Sequence, residues 1–593
     1  MKSMRPLKHL GLRALMAGSV GGAGYVAADE DRRAKAGQVV AAQGRIANLV
    51  GTVGVMVVDY GVTLQLNKDV GATNEYARLS NALKKLQHDQ EVFTIAQWKV
   101  KDDAARAEEW QQKIDETRKL IDKTAEDMGN LASPSSSSSA AETDVNPLAS
   151  CHARNAARLR DMCARNRGCY IKLGQHLAML DHILPQEYTD TLSTLLANTP
   201  RTSYSAVRRI IKEDLGAYPE ELFSSFSPEP MASASLAQVH VAYTKEGKKV
   251  AVKVQHEGLR EGSAGDMFAI TVLVDLVSRL FEGFSYTWLS REMNVNLPLE
   301  LDFENELRNI AKATSLLKKL IDSGDLAIPK AHANFSSKRV LCMDFEEGCY
   351  VTDVSKIPSG IVTGDVAALI SRVFCEQMYR NGFCHCDPHE GNVLVRRHPF
   401  KLNRPQIVLL DHGLYRELKD SFRRDYCRLW RALVVGDEKE IKFRCERMHV
   451  GPAFTLLAAI LTMRPWDDIT SGDMGRLKNK GSKGESEMLK AYAKRYFKDI
   501  VALLGRVDSE MLLLLKTNDC LRHLDKRLGA PINTAQVVAD ITSSVIIRED
   551  LSDLISSSFT TFSLAKLSEV LTNWIRVQLR LLAMRLYSWF LLF

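Results

Sequence analysis

Two short segments in which apolar and polar residues alternate lie next to each other near the middle of the chain, at Ala237–Tyr243 and Lys249–Gln255. The residues between them, Thr-Lys-Glu-Gly-Lys, favour a tight turn, so the pattern predicts a β-hairpin. Valines occupy alternate positions of the second segment, from 250 to 254. They therefore share one face of the strand, and Lys253 lies on the opposite face.

Signals for further strands are short and follow this hairpin, whereas the rest of the chain has the apolar periodicity of helices. The additional strands are predicted at 339–345, 393–395 and 407–410. Long helices are predicted at 75–128 and at 154–184, the second ending before Pro185. This mixture indicates the α+β class, and no internal repeat suggests a solenoid.

Length and composition exclude several classes of protein. A chain of 593 residues is expected to form two to four folding units. With 45% hydrophobic residues, 25% charged residues and 17 prolines, it is not wholly disordered, collagen-like or polytopic. The net charge of +7 is mild and its basic residues cluster only near the ends, so no nucleic-acid partner is expected. Eleven cysteines without a C-x-x-C pair indicate a reducing environment.

The first 28 residues carry basic residues and no acid before Asp29, which is typical of a mitochondrial presequence. Their apolar part, 14–28, contains a G-x-x-x-G pattern at Gly18 and Gly22 that suits close helix packing in a bilayer. A cleaved presequence is the alternative interpretation. A secretory signal is the rival interpretation, but four glycines interrupt the apolar stretch and it lacks the Leu-rich centre of a strong signal core, so a mitochondrial location is favoured, with the inner membrane expected.

Two more segments allow either a membrane or a core interpretation. Ile46–Leu64 is long and apolar, with Asp59 inside it. The last 23 residues contain arginines but no acid, a pattern that suits an interfacial helix on anionic lipid or a helix that caps the core. There Asn573, Arg576 and Arg580 share one side, and the rest is enriched in Trp574, Leu579, Leu582, Trp589 and Phe590.

Three polar motifs follow one another in an order that phosphate chemistry explains. Lys253 is followed by Asp387 and Asn392 in an Asp-x4-Asn pattern, and then by Asp411 in Asp-x-Gly after an apolar strand. Phosphoryl transfer needs a lysine for phosphate oxygens, oxygen ligands for Mg²⁺ and a carboxylate that orients the nucleophile. The set therefore predicts a kinase-type site, with Asn392 and Asp411 as the magnesium ligands.

Two other interpretations of this region rank lower. Cys384, His385, Cys386 and His389 lie close together and would suit zinc, but no second ligand pair stands at zinc-site spacing. Alternatively, Asp387 and Asp411 are ordinary turn acids, which requires several coincidences of spacing.

Read with its flanking residues, the chain resembles the UbiB/aarF-domain atypical kinases, a family linked to ubiquinone metabolism. The resemblance covers roughly residues 155–530. The matching segments are YIKLGQ at 170–175, LPQEY at 184–188, ASASLAQVH at 232–240, AVKVQ at 251–255, ELD at 300–302, HCDPHEGN at 385–392 and DHG at 411–413. The DHGLY segment at 411–415 and the YCRLW segment at 426–430 are most similar to the mitochondrial aarF-domain-containing kinase one subgroup, whose members are tied to membrane and lipid maintenance.

The resemblance implies a bilobal protein-kinase-like fold with a helical N-terminal KxGQ extension and a helical C-terminal region. The implied segments are a targeting segment at 1–40, a helical region at 41–150 with a disordered Ser-rich linker at 131–147, the KxGQ extension at 151–230, an N-lobe at 231–345, a C-lobe at 346–470 and a helical region at 471–593.

The same resemblance assigns roles to individual residues, with ATP or ADP and Mg²⁺ as cofactors. Asp387, Lys253 and Glu306 are the implied catalytic residues, Glu306 pairing with Lys253. The nucleotide-binding residues are Ala232, Ser233, Ala234, Ser235, Lys253 and Met343. The regulatory lid is formed by Lys172, Gly174, Gln175, Glu300 and Asp302, with Lys172 reaching the two acids.

The nucleotide loop has no glycine, and in the family this goes with altered nucleotide preference and little protein-kinase activity. We expect its backbone amides to remain available for phosphate. The sequence departs from the family pattern at Ser233, at Glu390, where proline is usual, and at His412, where phenylalanine is usual outside the subgroup. No lysine or metal-ligand position is lost, so nucleotide binding is expected to survive.

The leading hypothesis is a lipid-coupled ATPase or small-molecule kinase at a mitochondrial membrane. Its expected partners are a small-molecule substrate, anionic or isoprenoid membrane lipid, and membrane proteins. The alternatives are a non-catalytic nucleotide-gated scaffold and a phosphotransferase of the choline-kinase kind. An ordinary serine/threonine protein kinase ranks last, because no Ala-Pro-Glu segment follows Asp411.

Overall fold

A computed structural model describes residues 30–73, 86, 104–131, 147–178, 184–197, 201–280, 287–462, 464, 466–470, 503, 507–529, 534–556 and 564–590. The chain divides into two compact units. The smaller consists of Ala47–Arg165 and Gly174–Leu196, and the larger takes in Met1–Ile46, Asn166–Leu173 and Ala197–Phe593. Positions 1–29 of the predicted targeting segment and 132–146 of the Ser-rich linker lie outside the described residues, and the domain boundaries stay predictions.

Helices form most of the described chain. They are α1 Glu30–Thr73, α2 Ala104–Leu131, α3 Pro147–Asn166, α4 Gly168–Ala178, α5 Gln186–Ala197, α6 Tyr204–Leu215, α7 Pro219–Leu222, α8 Leu259–Leu280, α9 Thr287–Glu300, α10 Phe303–Leu316, α11 Lys318–Asp322, α12 Thr363–Cys375, α13 Asp420–Val435, α14 Glu438–Arg447, α15 Phe454–Thr462, α16 Trp466–Thr470, α17 Ser509–Arg527, α18 Thr534–Ser556 and α19 Leu564–Phe590.

Among the described residues, the strands all lie in the larger unit, between α7 and α13. They are β1 Ser225–Phe226, β2 Ala232–Ser233, β3 Ala237–Tyr243, β4 Lys249–Gln255, β5 Leu326–Ala327, β6 Val340–Asp344, β7 Cys349–Tyr350, β8 Phe383–His385, β9 Val393–Arg397, β10 Pro405–Leu409 and β11 Tyr415–Glu417. The strands predicted from the sequence are all present, with ends shifted by a few residues, and the α+β class is confirmed.

The predicted helix at 154–184 is instead two helices, α3 and α4. Arg167 has φ of 59° and Gly168 has φ of 49°, both in the left-handed region, so the helical path is interrupted between them. A Cβ atom on Gly168 would lie 2.5 Å from Leu259 Cδ1, so glycine also permits a close approach. The apolar periodicity on either side is helical, which is why the break is invisible to a hydrophobic pattern.

The smaller unit is helical, and the acid inside its apolar stretch is paired. Asp59 of α1 accepts hydrogen bonds from Arg154, at 2.8 Å, and from Arg158 of α3. The neighbouring Tyr60 hydroxyl lies 2.6 Å from His152 Nδ1 and 3.0 Å from the Tyr188 hydroxyl. Asp59 and Tyr60 of α1 thus contact other helices of the unit. The aspartate is tolerated in an apolar helix because its charge is paired.

One helical segment among the described residues, Val40–Thr63, is long and apolar enough to cross a membrane by length and composition. Only 6% of its most apolar window is buried, and Val50, Val58 and Val62 are all exposed. The apolar segment at 46–64 lies within helix α1, as predicted. It resembles a membrane-spanning helix in length and composition.

The N-terminal lobe, residues 201–345, is built on an antiparallel sheet in the order β1-β3-β4-β6, with β2 also paired to β3. The predicted hairpin is β3–β4, in which Val239 pairs with Lys253. The three alternating valines of β4 are fully buried and pack with Val207 and Ile211 of α6. Lys253 therefore lies on the other face of the sheet, as the alternation predicts.

The C-terminal lobe consists of residues 346–462, helices α17–α19 and strand β5, which comes before β6 in the chain but pairs with β10. It surrounds a larger apolar core. Its sheet has the order β5-β10-β9-β7, with β5 and β10 parallel, and β8 pairs separately with β11. The pairs of Leu409 with Val393 and of Tyr415 with His385 bring the ends of β10, β9 and β8 together. Asp387 comes shortly after β8, Asn392 directly precedes β9 and Asp411 comes shortly after β10. The Asp-x4-Asn and Asp-x-Gly motifs therefore lie where these strands meet.

The last helix, α19, combines both predicted patterns. Val577 and Leu581 are buried against Val434 and Ala539, so one face caps the core. The opposite side is exposed and apolar: its members are Leu571, Trp574, Ile575, Leu579 and Leu582. Arg576 is also exposed, whereas the side chains of Arg580, Trp589 and Phe590 lie outside those that the structure describes.

All eleven cysteines lie among the described residues and none forms a disulfide. Nine of the eleven are buried. Burial raises the pKa of several thiols to about 12, as for Cys342 in the N-terminal lobe and Cys427 in the C-terminal lobe. The absence of a disulfide scaffold stays a prediction, with which the free thiols agree.

Two glycines that end helices allow a test of backbone strain. Gly436 after α13 has φ of 74°, and an added Cβ would lie 2.8 Å from the Ile469 carbonyl oxygen. Gly216 after α6 has φ of 79° but has open space around it. We expect Gly216→Ala to cost about 1 kcal/mol and Gly436→Ala at least about 2 kcal/mol. Differential scanning calorimetry should show the larger fall in melting temperature for Gly436→Ala, and equal falls would contradict the steric argument.

Candidate functional site

Lys253 joins two carboxylates from distant parts of the chain. Its Nζ lies 2.9 Å from Glu306 Oε2 and 3.2 Å from Asp411 Oδ2. Lys253 comes from β4, Glu306 from the first turn of α10 and Asp411 from the end of β10. The structure thus brings together the strand lysine, the helix glutamate and the Asp-x-Gly acid that the sequence singles out.

The environment of this triad keeps the lysine charged. Burial lowers the pKa of Lys253, but Asp411 and Glu306 outweigh this effect and the net pKa is raised. Burial also raises the pKa of Asp411, yet Lys253 and the Gly413 amide bring it below its usual range. Glu306 is 1% exposed, and its burial raises its pKa despite the opposing effect of Lys253. An ammonium group held in this way is suited to phosphate oxygens.

Helix α10 also fixes the backbone of the Asp-x-Gly motif. The His412 amide donates to Glu306 Oε1 at 3.2 Å, and the Asn309 side-chain amide donates to the His412 carbonyl at 2.9 Å. Asp411 Oδ1 accepts the Gly413 amide at 2.9 Å. Sequence reasoning missed Asn309, although its position three residues after Glu306 puts both on one helix face.

His385 organises the loop that leads to Asp387. Its Nε2 lies 2.6 Å from the Asp411 carbonyl oxygen, so this nitrogen donates, and its Nδ1 accepts the Asp387 amide at 3.1 Å. Burial lowers the pKa of His385, which agrees with this neutral tautomer. The Gln377 side chain accepts the His385 amide at 3.1 Å, a further contact that sequence reasoning missed.

Asn392 lies beside the Asp-x-Gly motif because β9 and β10 are paired. The Leu410 amide donates to the Asn392 carbonyl at 3.0 Å. The Asn392 side-chain nitrogen donates to the Asp387 carbonyl at 3.1 Å, which leaves its side-chain oxygen as the atom able to bind a cation. Together with the Asp411 carboxylate it forms an oxygen donor set, and such a set fits Mg²⁺.

The zinc interpretation is not supported by the geometry. Among the residues that the structure describes, no three side chains of histidine, cysteine, aspartate or glutamate come together as a metal site. Cys384 and Cys386 lie in or next to β8, where the Cys386 thiol donates to the Cys384 carbonyl. Both thiols are buried within the C-terminal lobe core.

Asp387, the candidate base, is flanked by two lysines. Its Oδ1 lies 3.2 Å from Lys516 Nζ of α17, and its Oδ2 lies 3.7 Å from Lys172 Nζ of α4. Sequence reasoning assigned Lys172 to the lid but gave no role to Lys516, which lies far outside the recognisable motifs. No spacing rule connects a lysine of α17 with the loop at Asp387.

The lid contacts differ from the expected ones in one residue. Lys172 Nζ lies 2.7 Å from Glu300 Oε2, as the resemblance implies. Asp302 does not take part in this pair; its carboxylate caps helix α10 by accepting the Glu304 amide at 3.2 Å, with Arg308 at 3.7 Å. The expectation that Lys172 reaches both acids is therefore wrong for Asp302, because a residue just before a helix satisfies the open amides of its first turn.

The other two lid residues have local roles in the smaller unit. The Gln175 side-chain amide donates to the Leu195 carbonyl at 3.0 Å. A Cβ on Gly174 would lie 2.4 Å from Leu195 Cδ1, so glycine allows α4 and α5 to pack closely.

The loop at Ala232–Ser235 is partly closed on itself. Ala232 and Ser233 pair with β3 as β2, and the Ala234 amide donates to the Ala237 carbonyl at 2.7 Å. His256 Nε2 donates to the Ala234 carbonyl at 2.9 Å, and Ser235 is buried. The expectation that the loop amides remain available is therefore wrong for Ala234, whose amide already has an acceptor.

Met343, a predicted nucleotide-binding residue, lies in β6 within an apolar cluster on the Lys253 side of the sheet. It is buried with Ala237, Phe303 and Leu341. Phe303 also lies under the Lys253 ammonium, at 5.1 Å from Nζ to the ring centroid. This cluster supplies an apolar floor next to the charged triad.

Glu390 and His412, two of the three departures from the family pattern, each have a partner. The Glu390 carboxylate lies 3.7 Å from Arg527 and 3.9 Å from His523, both on α17. The buried His412 ring stacks on Tyr415 and lies 3.0 Å from its hydroxyl and 3.1 Å from the Leu409 carbonyl. Burial lowers the pKa of His412 to about 3, so this residue is neutral and fills an aromatic position.

The fold and the triad of Lys253, Glu306 and Asp411 define a protein of the kinase-like class. The sequence profile of the ABC1 atypical kinase-like domain matches residues 194–444. A putative ABC1 protein of Arabidopsis thaliana is 41% identical over 412 residues, which are 67% of this chain and 76% of that protein. The chain belongs to this ABC1, or AarF-domain, family of atypical kinase-like proteins.

Animal relatives support the resemblance to the kinase one subgroup. AarF domain-containing protein kinase 1 of Xenopus laevis is 43% identical over 379 residues, covering 64% of this chain and 72% of the relative. The mouse protein of the same name is 42% identical, with coverage of 64% of this chain and 71% of the relative.

Among solved structures, Rv3197 from Mycobacterium tuberculosis in complex with erythromycin is 19% identical, with a TM-score of 0.40. The match covers 67% of this chain and 97% of that protein.

The capping role of Asp302 can be separated from an ionic role. Asparagine caps helices about as well as aspartate, whereas alanine costs about 1 kcal/mol. We expect Asp302→Asn to retain the wild-type melting temperature and Asp302→Ala to lower it, measured by circular dichroism. An Asn variant as unstable as the Ala variant would show instead that the charge is what matters.

Proposed function

We propose that this protein binds ATP or ADP with Mg²⁺ and acts as an atypical kinase or ATPase on a small molecule or on lipid. The observation that carries the proposal is the position of Lys253 Nζ, 2.9 Å from Glu306 and 3.2 Å from Asp411. A buried ammonium between two acids from separate elements is costly to desolvate, and phosphate binding gives such an arrangement a purpose.

Each residue has a role in this proposal. Lys253 binds phosphate oxygens, and Glu306 orients the lysine. Asn392 and Asp411 would hold Mg²⁺, which neutralises charge on the transferred phosphoryl group when it is bound. Asp387 orients the attacking hydroxyl or water, held by the loop that His385 fixes at the Asp411 carbonyl.

We place this activity at a mitochondrial membrane, in support of lipid or ubiquinone homeostasis. The support is the basic, acid-free start of the sequence, the apolar helix Val40–Thr63 and the exposed apolar side of α19. Apolar side chains beside exposed Arg576 suit a surface of anionic lipid.

The second candidate is a nucleotide-gated scaffold without turnover. The observation that favours it is the pairing of Asp387 with Lys516 and Lys172, because a carboxylate engaged by two ammonium groups is a weaker base. In that case the site would bind nucleotide without transferring phosphate. A phosphotransferase of the choline-kinase kind would use the same Asp387 but would not need Lys172.

Replacement of Asp411 tests the metal role. Asp411→Asn should abolish the rise in melting temperature that Mg²⁺ with ADP gives the wild-type protein, because the amide lacks the charge for Mg²⁺ and for Lys253. Asp353→Asn serves as the control, since Asp353 is a half-buried carboxylate paired with Lys356, away from the triad. An undiminished nucleotide-dependent shift in Asp411→Asn would refute the assignment.

Turnover distinguishes the two candidates. Phosphate release from ATP should be measured with the purified full chain, alone and with vesicles that contain or lack anionic mitochondrial-type lipid. We expect release to rise several-fold with the anionic vesicles. Nucleotide binding without release in any of these conditions would favour the scaffold.

A further inference from the structure

Helix α17 is packed into the C-terminal lobe. Its Met511 and Leu514 are buried in the main apolar core. The Asn518 side chain donates to the Tyr426 hydroxyl at 3.1 Å, a buried hydrogen bond to α13. Arg522 donates to the Leu461 carbonyl at the end of α15. Packing on one face and polar contacts at its middle fix the position of the helix, and with it the side of the helix that carries Lys516.

Lys516 projects from this helix to the candidate base. Its Nζ lies 3.2 Å from Asp387 Oδ1, with about a quarter of the side chain exposed. A second contact between the same helix and the same loop follows eleven positions later, where Arg527 lies 3.7 Å from Glu390. The loop from Asp387 to Glu390 is therefore contacted by α17 at both of its acids.

The loop itself offers no strong cation. His385–Asn392 contains no lysine or arginine. Lys253 is already paired with Glu306 and Asp411. A phosphoryl group that moves toward a nucleophile held by Asp387 carries negative charge, and enzymes place lysine or arginine where such charge develops. In the C-terminal lobe, Lys516 of α17 places its ammonium group beside Asp387.

We propose that Lys516 is a phosphate-binding residue of this site and contacts the terminal phosphate of ATP, which ADP lacks. The inference rests on the proposed nucleotide-binding function and adds to it a residue that no motif of the family profile, residues 194–444, contains. Helix α17 thereby becomes part of the site rather than a cap on the lobe.

Two further observations agree with this role. Burial lowers the pKa of Lys516, but Asp387 outweighs this effect and the net pKa is raised, so the side chain stays cationic. The other lysine at Asp387 differs, since Lys172 has Glu300 at 2.7 Å in addition. The ion pair that the structure describes for Lys516 is with Asp387, and Glu300 acts on it only as a more distant charge, whereas Lys172 is in direct contact with Glu300.

The test compares binding of two Mg²⁺-nucleotides to the full chain. Dissociation constants are measured by thermal shift for ADP and for a non-hydrolysable ATP analogue with an imido bridge between its last two phosphates. Lys516→Met should lower the preference for the ATP analogue over ADP by about tenfold, the effect of one charge-assisted contact. Lys516→Arg should retain most of the preference. Lys526→Met, which removes an exposed lysine from the same helix, should match the wild type.

Each outcome is decisive for one of the two claims. If the wild-type protein binds neither nucleotide, the proposed function fails and the inference fails with it. If it binds both and Lys516→Met keeps the wild-type ratio, even with a lower melting temperature of the free protein, Lys516 is structural and only the inference is overturned. Should the Met variant not fold, Lys516→Gln, which keeps a polar head group, is compared in the same way.

Discussion

A single ammonium group connects the parts of this site. Lys253 contacts acids 53 and 158 positions away in the chain, one on a helix of the N-terminal lobe and one after a strand of the C-terminal lobe. Withdrawal of Lys253 and Glu306 from water costs several kcal/mol and largely offsets their mutual attraction, whereas Asp411 keeps part of its side chain in solvent. The arrangement therefore adds little net stability but determines where the two lobes meet. The hydrogen bonds of Glu306 and Asn309 to the His412 backbone complete this connection.

Much of this arrangement could be predicted from the sequence. Alternating valines placed Lys253 on the correct face of β4, and the spacing of Asp387, Asn392 and Asp411 is short enough that strand pairing brings them together. Local patterns of this kind are reliable because the residues involved share one element or two adjacent ones. The resemblance to a family supplied Glu306 and the Lys172–Glu300 pair, which no local pattern would have connected.

Other features could not be predicted, for physical reasons. The break at Arg167 depends on backbone angles that a hydrophobic pattern does not encode. For Asp302 the family resemblance implies an ionic contact with Lys172, whereas its position before α10 favours a helix cap, and the structure shows the cap. Lys516 acts across 129 positions from a helix of unremarkable sequence, and only the packing of α17 on the lobe brings it to Asp387.

The buried cysteines make the two lobes separately observable. A thiol reacts with alkylating reagents as its thiolate, and burial both shields these sulfur atoms and disfavours that form. Labelling of Cys342 therefore requires the N-terminal lobe to open, and labelling of Cys427 requires the C-terminal lobe to open. Mass spectrometry of alkylated protein would thus report the local unfolding of each half without an introduced probe. The native cysteines therefore report local opening of each lobe.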